Sequence, residues 1–126
     1  MKLIIAGSRE ITNKVEIFEI IRKYIETSFK VNLLTDISEL SIISGMAREI
    51  DSVAVKYAKE NNIKLLEYPA NWKNFGKSAG HIRNLEMAKD GTHLLAIWDG
   101  QSKGTKNMID QMKKMGKSTY VVIKNN

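Results

Sequence analysis

Lys2-Leu3-Ile4-Ile5-Ala6-Gly7-Ser8-Arg9 stands at the head of the chain: a short, unbroken, β-prone apolar run, stopped by glycine and followed at once by a hydroxyl and a cation. A continuous apolar run of this kind reads as a strand buried on both faces, as in a parallel sheet. The same punctuation recurs downstream. Leu40–Ser44 is a second strand stopped by Gly45, and Ile63–Tyr68 a third ended by Pro69. Thr92–Trp98 is a fourth, followed by a turn over Asp99–Gly104, and Thr119–Ile123 a fifth.

Helical patterns fill the intervals. From Lys14 to Lys30, Val15, Phe18, Ile21, Ile25 and Phe29 step by three or four, with Asn13 or Thr12 as N-cap. Ile50, Val53, Ala54, Tyr57 and Ala58 share one helical face that Asn61-Asn62 closes. Pro69 to Gly80 reads as a polar loop running into a helix near Ser78–Ala88. Met108, Ile109, Met112 and Met115 form a last stripe, stopped by Gly116, with the methionines as core packing. The loosest connection is 31–39, the expected mobile loop. Strand–helix alternation predicts an α/β protein. Its expected form is a Rossmann-like three-layer αβα sandwich on a five-stranded, mainly parallel sheet of order 3-2-1-4-5. Residues 1–126 are expected to make one nucleotide-binding domain of this kind.

Composition narrows the class. The 126 residues are 43% hydrophobic and 27% charged, an ordinary globular balance, with one Pro and no Cys. The missing Cys removes disulfides, thiol catalysis and Cys-containing zinc sites, and suits a reducing interior. His81 and His93 have no ligand spacing, so no metal and no cofactor is expected. No apolar run is long enough for a signal peptide or a membrane span, so a cytoplasmic protein without membrane contact is expected. The net charge is +6, and residues 101–126 carry six Lys against Asp110 alone. That imbalance invites an anionic partner, although a solvated helix accounts for it as well.

In an open parallel sheet, ligands sit beyond the carboxyl ends of the strands. Each such end here carries glycine, a hydroxyl and a cation: Gly7-Ser8-Arg9, Ser44-Gly45 with Arg48, Gly76 to Arg83-Asn84, and Ser102-Lys103-Gly104-Thr105. Glycine lets backbone amides approach an anion, helix N-termini add their dipoles, and guanidiniums add charge-assisted bonds. Trp72 offers a flat face to a base, and Asp51 and Asp99 offer short carboxylates to ribose hydroxyls. Trp98, at a strand end, reads as core instead. A phosphorylated nucleoside fits this inventory. G-x-G-x-x-G after the first strand, the P-loop motif and the nucleophile elbow are all absent.

Gly7-Ser8-Arg9 and Ser44-Gly45-Met46-Ala47-Arg48-Glu49-Ile50-Asp51-Ser52 resemble the "GSR" and "SGGARGADS" motifs of the YspA-related members of the SLOG superfamily. The likeness continues through Pro69-Ala70-Asn71-Trp72, Gly76 to Gly80, Ile82 to Met87 and Trp98 to Thr105. The resemblance implies a Rossmann-like fold that binds nucleotides or nucleotide-derived ligands. Its relatives include the Lonely Guy phosphoribohydrolases, sensors of ADP-ribose-type signals and the single-strand-binding protein DprA. Gly104-Thr105 stands where Lonely Guy enzymes carry "PGGxGTxxE", and Arg83-Asn84 resembles their "RKxxM". Met108 falls where that motif has its glutamate, and Met46 and Glu49 where the YspA pattern prefers glycines.

Three functions follow. The first is binding of a nucleotide-type ligand (a nucleoside phosphate, an ADP-ribose type or a cyclic nucleotide signal) as a sensor or sequestering protein. The second is N-glycosidic hydrolysis, with Arg83 orienting phosphate and Glu86 or Asp99 stabilising an oxocarbenium-like centre. The third, single-stranded nucleic-acid binding, is disfavoured by the scarcity of aromatics near the Lys-rich end. Related enzymes often dimerise, which makes a homo-oligomer the analogy for this chain.

Overall fold

A computed structural model describes residues 1–28, 39–45 and 48–124. Most of the connection 31–39, together with Met46 and Ala47, lies outside the described residues, and so does the Arg48 side chain. The strands are β1 (Lys2–Gly7), β2 (Ser41–Ser44), β3 (Lys64–Glu67), β4 (His93–Trp98) and β5 (Ser118–Ile123). The helices are α1 (Lys14–Ser28), α2 (Arg48–Glu60), α3 (Trp72–Phe75), α4 (Ala79–Asp90) and α5 (Lys103–Lys114). A 3₁₀ turn at Gly76–Ser78 joins α3 to α4.

The sheet order is β3-β2-β1-β4-β5 and every pairing is parallel, as the apolar runs predict. Side chains alternate across it. Leu3, Ile5, Ile42, Leu95 and Ile97 pack under α1 and α2 on one face. Ile4, Ile43, Leu94 and Ala96 pack under Met87 and Ala88 of α4 and Met108, Ile109 and Met112 of α5 on the other. The three layers, and the buried methionines, follow the sequence pattern.

Asn13 caps α1, its Oδ1 accepting the Glu16 amide at 3.2 Å. The buried stripe of α1 is Ile17, Ile21, Tyr24 and Ile25, while Val15, expected on that stripe, is 74% exposed. At 3.6 residues per turn Val15 lies roughly a third of a turn round the helix from the centre of that stripe. The stretch read as loop from Pro69 carries α3, capped by Asn71 Oδ1 on the Asn74 amide at 3.1 Å. The turn expected through Gly104 is shorter: Ser102 caps α5, so Lys103 and Gly104 belong to its first turn.

Lys117 closes the far end of α4. Its Nζ donates to the carbonyls of Ala88 (2.6 Å), Lys89 (3.0 Å) and Gly91 (2.8 Å), where the helix dipole favours a cation. Lys117→Met is expected to cost roughly 1–2 kcal/mol, because the carbonyls lose a charged donor. A urea midpoint equal to that of the wild type would remove Lys117 from the stability account.

A candidate anion-binding cleft at the strand ends

β1 and β4 are neighbours whose following segments leave toward opposite faces, α1 to one and α5 to the other. That divergence opens a crevice at the carboxyl edge of the sheet. A cleft of about 500 Å³ lies there. Ile5, Ala6, Met87 and Met108 give it an apolar floor. Arg9, Lys77, His81 and Arg83 bring cationic or titratable groups, and Glu10 and Asp99 bring carboxylates.

One face of α4 forms a wall, because Gly80, Arg83, Asn84 and Met87 are spaced i, i+3, i+4 and i+7. Arg83 is half-buried. Its Nε donates to Asn84 Oδ1 at 3.1 Å, and one terminal nitrogen donates to the Gly45 carbonyl. Burial, and after it the nearby Arg9 guanidinium, holds the Arg83 pKa below the ordinary arginine value, while the Asp51 charge opposes that shift. Neither Arg9 nor Arg83 forms an ion pair among the described residues.

The opposite wall is the turn after β4. Asp99 Oδ1 accepts the amides of Gln101 and Ser102, each at 2.8 Å, and the Asp99 amide donates to Ser8 Oγ at 3.1 Å. The Ser102 and Gln101 amides hold the Asp99 carboxyl below the usual carboxylate range, so it stays ionised and is poorly suited to giving a proton. Ser102 Oγ then accepts the Thr105 amide. The amides of Lys103 and Gly104, at the head of α5, have no backbone partner among the described residues. A side chain at Gly104 would meet nothing within 4 Å, so the backbone there is open to the cleft.

The other expected residues fall as follows. Arg9, Gly45, Trp72, Arg83, Asn84, Asp99, Ser102 and Gly104 border the cleft. Gly7, Ser8, Ser44 and Thr105 lie behind it: Ser8, Ser44 and Thr105 are buried, with the Thr105 hydroxyl turned to Ser102 Oγ at 3.2 Å. Lys103 and Glu86 are exposed and off the cleft, and Asp51 acts on Arg83 from outside the lining. Trp72 is 55% exposed, and its ring reaches the first turn of α4, 3.7 Å from where a Gly80 Cβ would stand. Trp98 is partly buried and packs against the core, with Nε1 donating to the Ser102 carbonyl at 3.0 Å. Glu10, Lys77 and Gln101 also line the cleft and were not among the expected site residues. Glu10 directly follows the Gly7-Ser8-Arg9 signal, which was the available pointer to it.

A sequence model of the YspA, cpYpsA-related SLOG family matches residues 1–75. The chain belongs to that family. The SLOG match takes in Gly7, Ser8, Arg9, Ser44, Gly45 and Trp72, whereas Arg83, Asp99, Ser102 and Gly104 lie beyond it. The SLOG chain is also similar to the Gene 61 protein of Mycobacterium phage D29, with 32% identity over 83 residues. That match covers 61% of this chain and 66% of the phage protein, a little under two thirds of its length. No solved structure matches. Membership in the SLOG family is consistent with nucleotide-related ligands. Among the described residues, no helix is long and apolar enough to cross a membrane.

Proposed function

We propose that the cleft binds a phosphorylated, nucleotide-type ligand and holds it without turnover, as a sensor or sequestering protein. The observation that carries this reading is the pairing of two neighbouring guanidiniums, Arg9 and Arg83, with no ion-pair partner among the described residues. Their mutual repulsion falls when an anion enters between them. The free amides at the head of α5 add donors of the same preference. Trp72, at the rim beside Gly80, which is one helical turn from Arg83, supplies a face for a base.

Retention of the ligand is supported by the carboxylates. N-glycosidic cleavage needs a carboxyl group beside the anomeric carbon. Glu86 is off the cleft, Met108 is part of the floor, and Asp99, held ionised by the two amides on its Oδ1, is poorly suited to protonating a leaving base. Glu10 is the other acid on the lining and the one a hydrolase would have to use as proton donor.

The test is a thermal-shift screen of nucleoside monophosphates, ADP-ribose and cyclic nucleotides, with each stabilising compound then incubated and recovered by chromatography. Intact recovery is expected. Release of free base would replace the binding reading with hydrolysis, and no stabilisation by any compound would remove both. Steep loss of binding to an oligonucleotide with added salt would instead mark a polymer ligand. Trp72→Ala is expected to weaken the best nucleotide by about 1–3 kcal/mol. An unchanged Kd would return Trp72 to loop packing.

A further inference from the structure

Asn84 is the most deeply buried polar residue on the cleft wall, at 5% exposure. Its Nδ2 donates to the Gly104 carbonyl at 3.2 Å and to Asn107 Oδ1 at 3.0 Å, and its Oδ1 accepts Arg83 Nε–H at 3.1 Å. The orientation of the amide is fixed by chemistry: Arg83 Nε–H only donates and the Gly104 carbonyl only accepts. Both amide hydrogens are therefore engaged. A phosphate only accepts hydrogen bonds, so Asn84 has no donor left for one.

We infer that Asn84 is a positioning residue and not a ligand contact: it locks the Arg83 guanidinium and the first turn of α5 into one arrangement around the ligand's anionic group. The inference rests on the binding reading above. Asn84 takes Nε–H, and the Gly45 carbonyl takes one hydrogen of a terminal nitrogen. Three of the five guanidinium N–H groups remain, all on the terminal nitrogens. The same amide grips the carbonyl of Gly104, a residue of the first turn of α5. One side chain thus couples the two donor sets, on α4 and on α5, that would meet one phosphoryl group.

Two readouts test this, with AMP as the probe. In the free protein, the Arg83 Nε–H signal followed by NMR is expected to exchange slowly with solvent, and to lose that protection in Asn84→Ala. By calorimetry, Asn84→Ala is expected to weaken AMP about tenfold, and to have a clearly smaller effect in an Arg83→Ala background, where only the tie to α5 is left to lose. Additive losses, or an Nε–H signal that Asn84→Ala leaves unchanged, would overturn the inference. If the wild type fails to bind AMP, the binding reading fails for that probe, and the NMR arm still decides the role of Asn84. Should Asn84→Ala not fold, Asn84→Asp carries the test. It keeps the acceptor for Nε–H but places a carboxylate beside the guanidinium, so protection should persist while AMP affinity falls. Unchanged AMP affinity in that variant would overturn the coupling.

Discussion

Arg83→Ala is expected to weaken binding of a phosphorylated ligand by about 2–4 kcal/mol, or roughly 30-fold to 1,000-fold in Kd. The size follows from the setting. The guanidinium is half-buried and lies near Arg9 on the cleft lining. A charge-assisted bond made there is screened less than one at the open surface. Arg83→Lys should recover little, because an ammonium cannot bond the Gly45 carbonyl and Asn84 while still presenting a planar fork. Calorimetric titration of the nucleotide that most stabilises the wild type is the measurement. An affinity within twofold of wild type would take Arg83 out of the site and leave the anion to Arg9 and the head of α5. Arg9, exposed where Arg83 is half-buried, should cost less when removed.

The largest expected effect on stability is at Gly7. A Cβ there would stand 2.6 Å from the Ile97 carbonyl oxygen and would also run into Ile50 Cδ1. The isoleucine can turn aside, but the carbonyl belongs to β4, which is paired on both sides and also accepts the Ser8 amide. Gly7→Ala must therefore push β1 from β4 at the mouth of the crevice. We expect a loss of about 3 kcal/mol, at the upper end for overpacking, and a fall in Tm on the order of 10 °C. Thermal unfolding of the purified variant decides it, and a Tm within a degree or two of wild type would mean that β1 can shift without cost. Sequence reading gave this glycine to phosphate approach. The structure shows the side of its backbone that packs against β4.

The contrast between those two residues shows how far the sequence could be read. The layers were legible because continuous apolar runs and helical stripes carry period and length, and Leu3 to Ile5 or Ile50 to Ala58 leave one sensible interpretation. The strand order followed from right-handed crossovers, and the location of the cleft from the rule for strand ends. Val15 falls outside the buried face because steps of three or four drift round the helix, and it stands roughly a third of a turn from the centre of the stripe that Ile17, Ile21, Tyr24 and Ile25 bury. Glu10, Lys77 and Gln101 escaped because the direction of a loop side chain depends on turn dihedrals, which have no period to count. Asn84 borders the cleft where it was expected, but the role proposed for it was not legible. The difference lies in which of its hydrogen bonds are already taken, and only partners brought together by folding settle that.

The ties across the crevice bear on how fast and how selectively it can work. Asp99 bonds Ser8 across the seam between β4 and β1, Arg83 bonds Gly45 beyond β2, and Asn84 bonds the head of α5. Together these fasten the donors to one another before any guest arrives. The entropy of aligning them is lost when the chain folds and not when the guest docks, so even a small ligand keeps most of its contact energy. Such a mould discriminates by size and charge placement rather than by adapting its shape. Its kinetics should then resemble rigid docking, with encounter rates set by diffusion and charge, and with the differences among ligands expressed in how long each one stays.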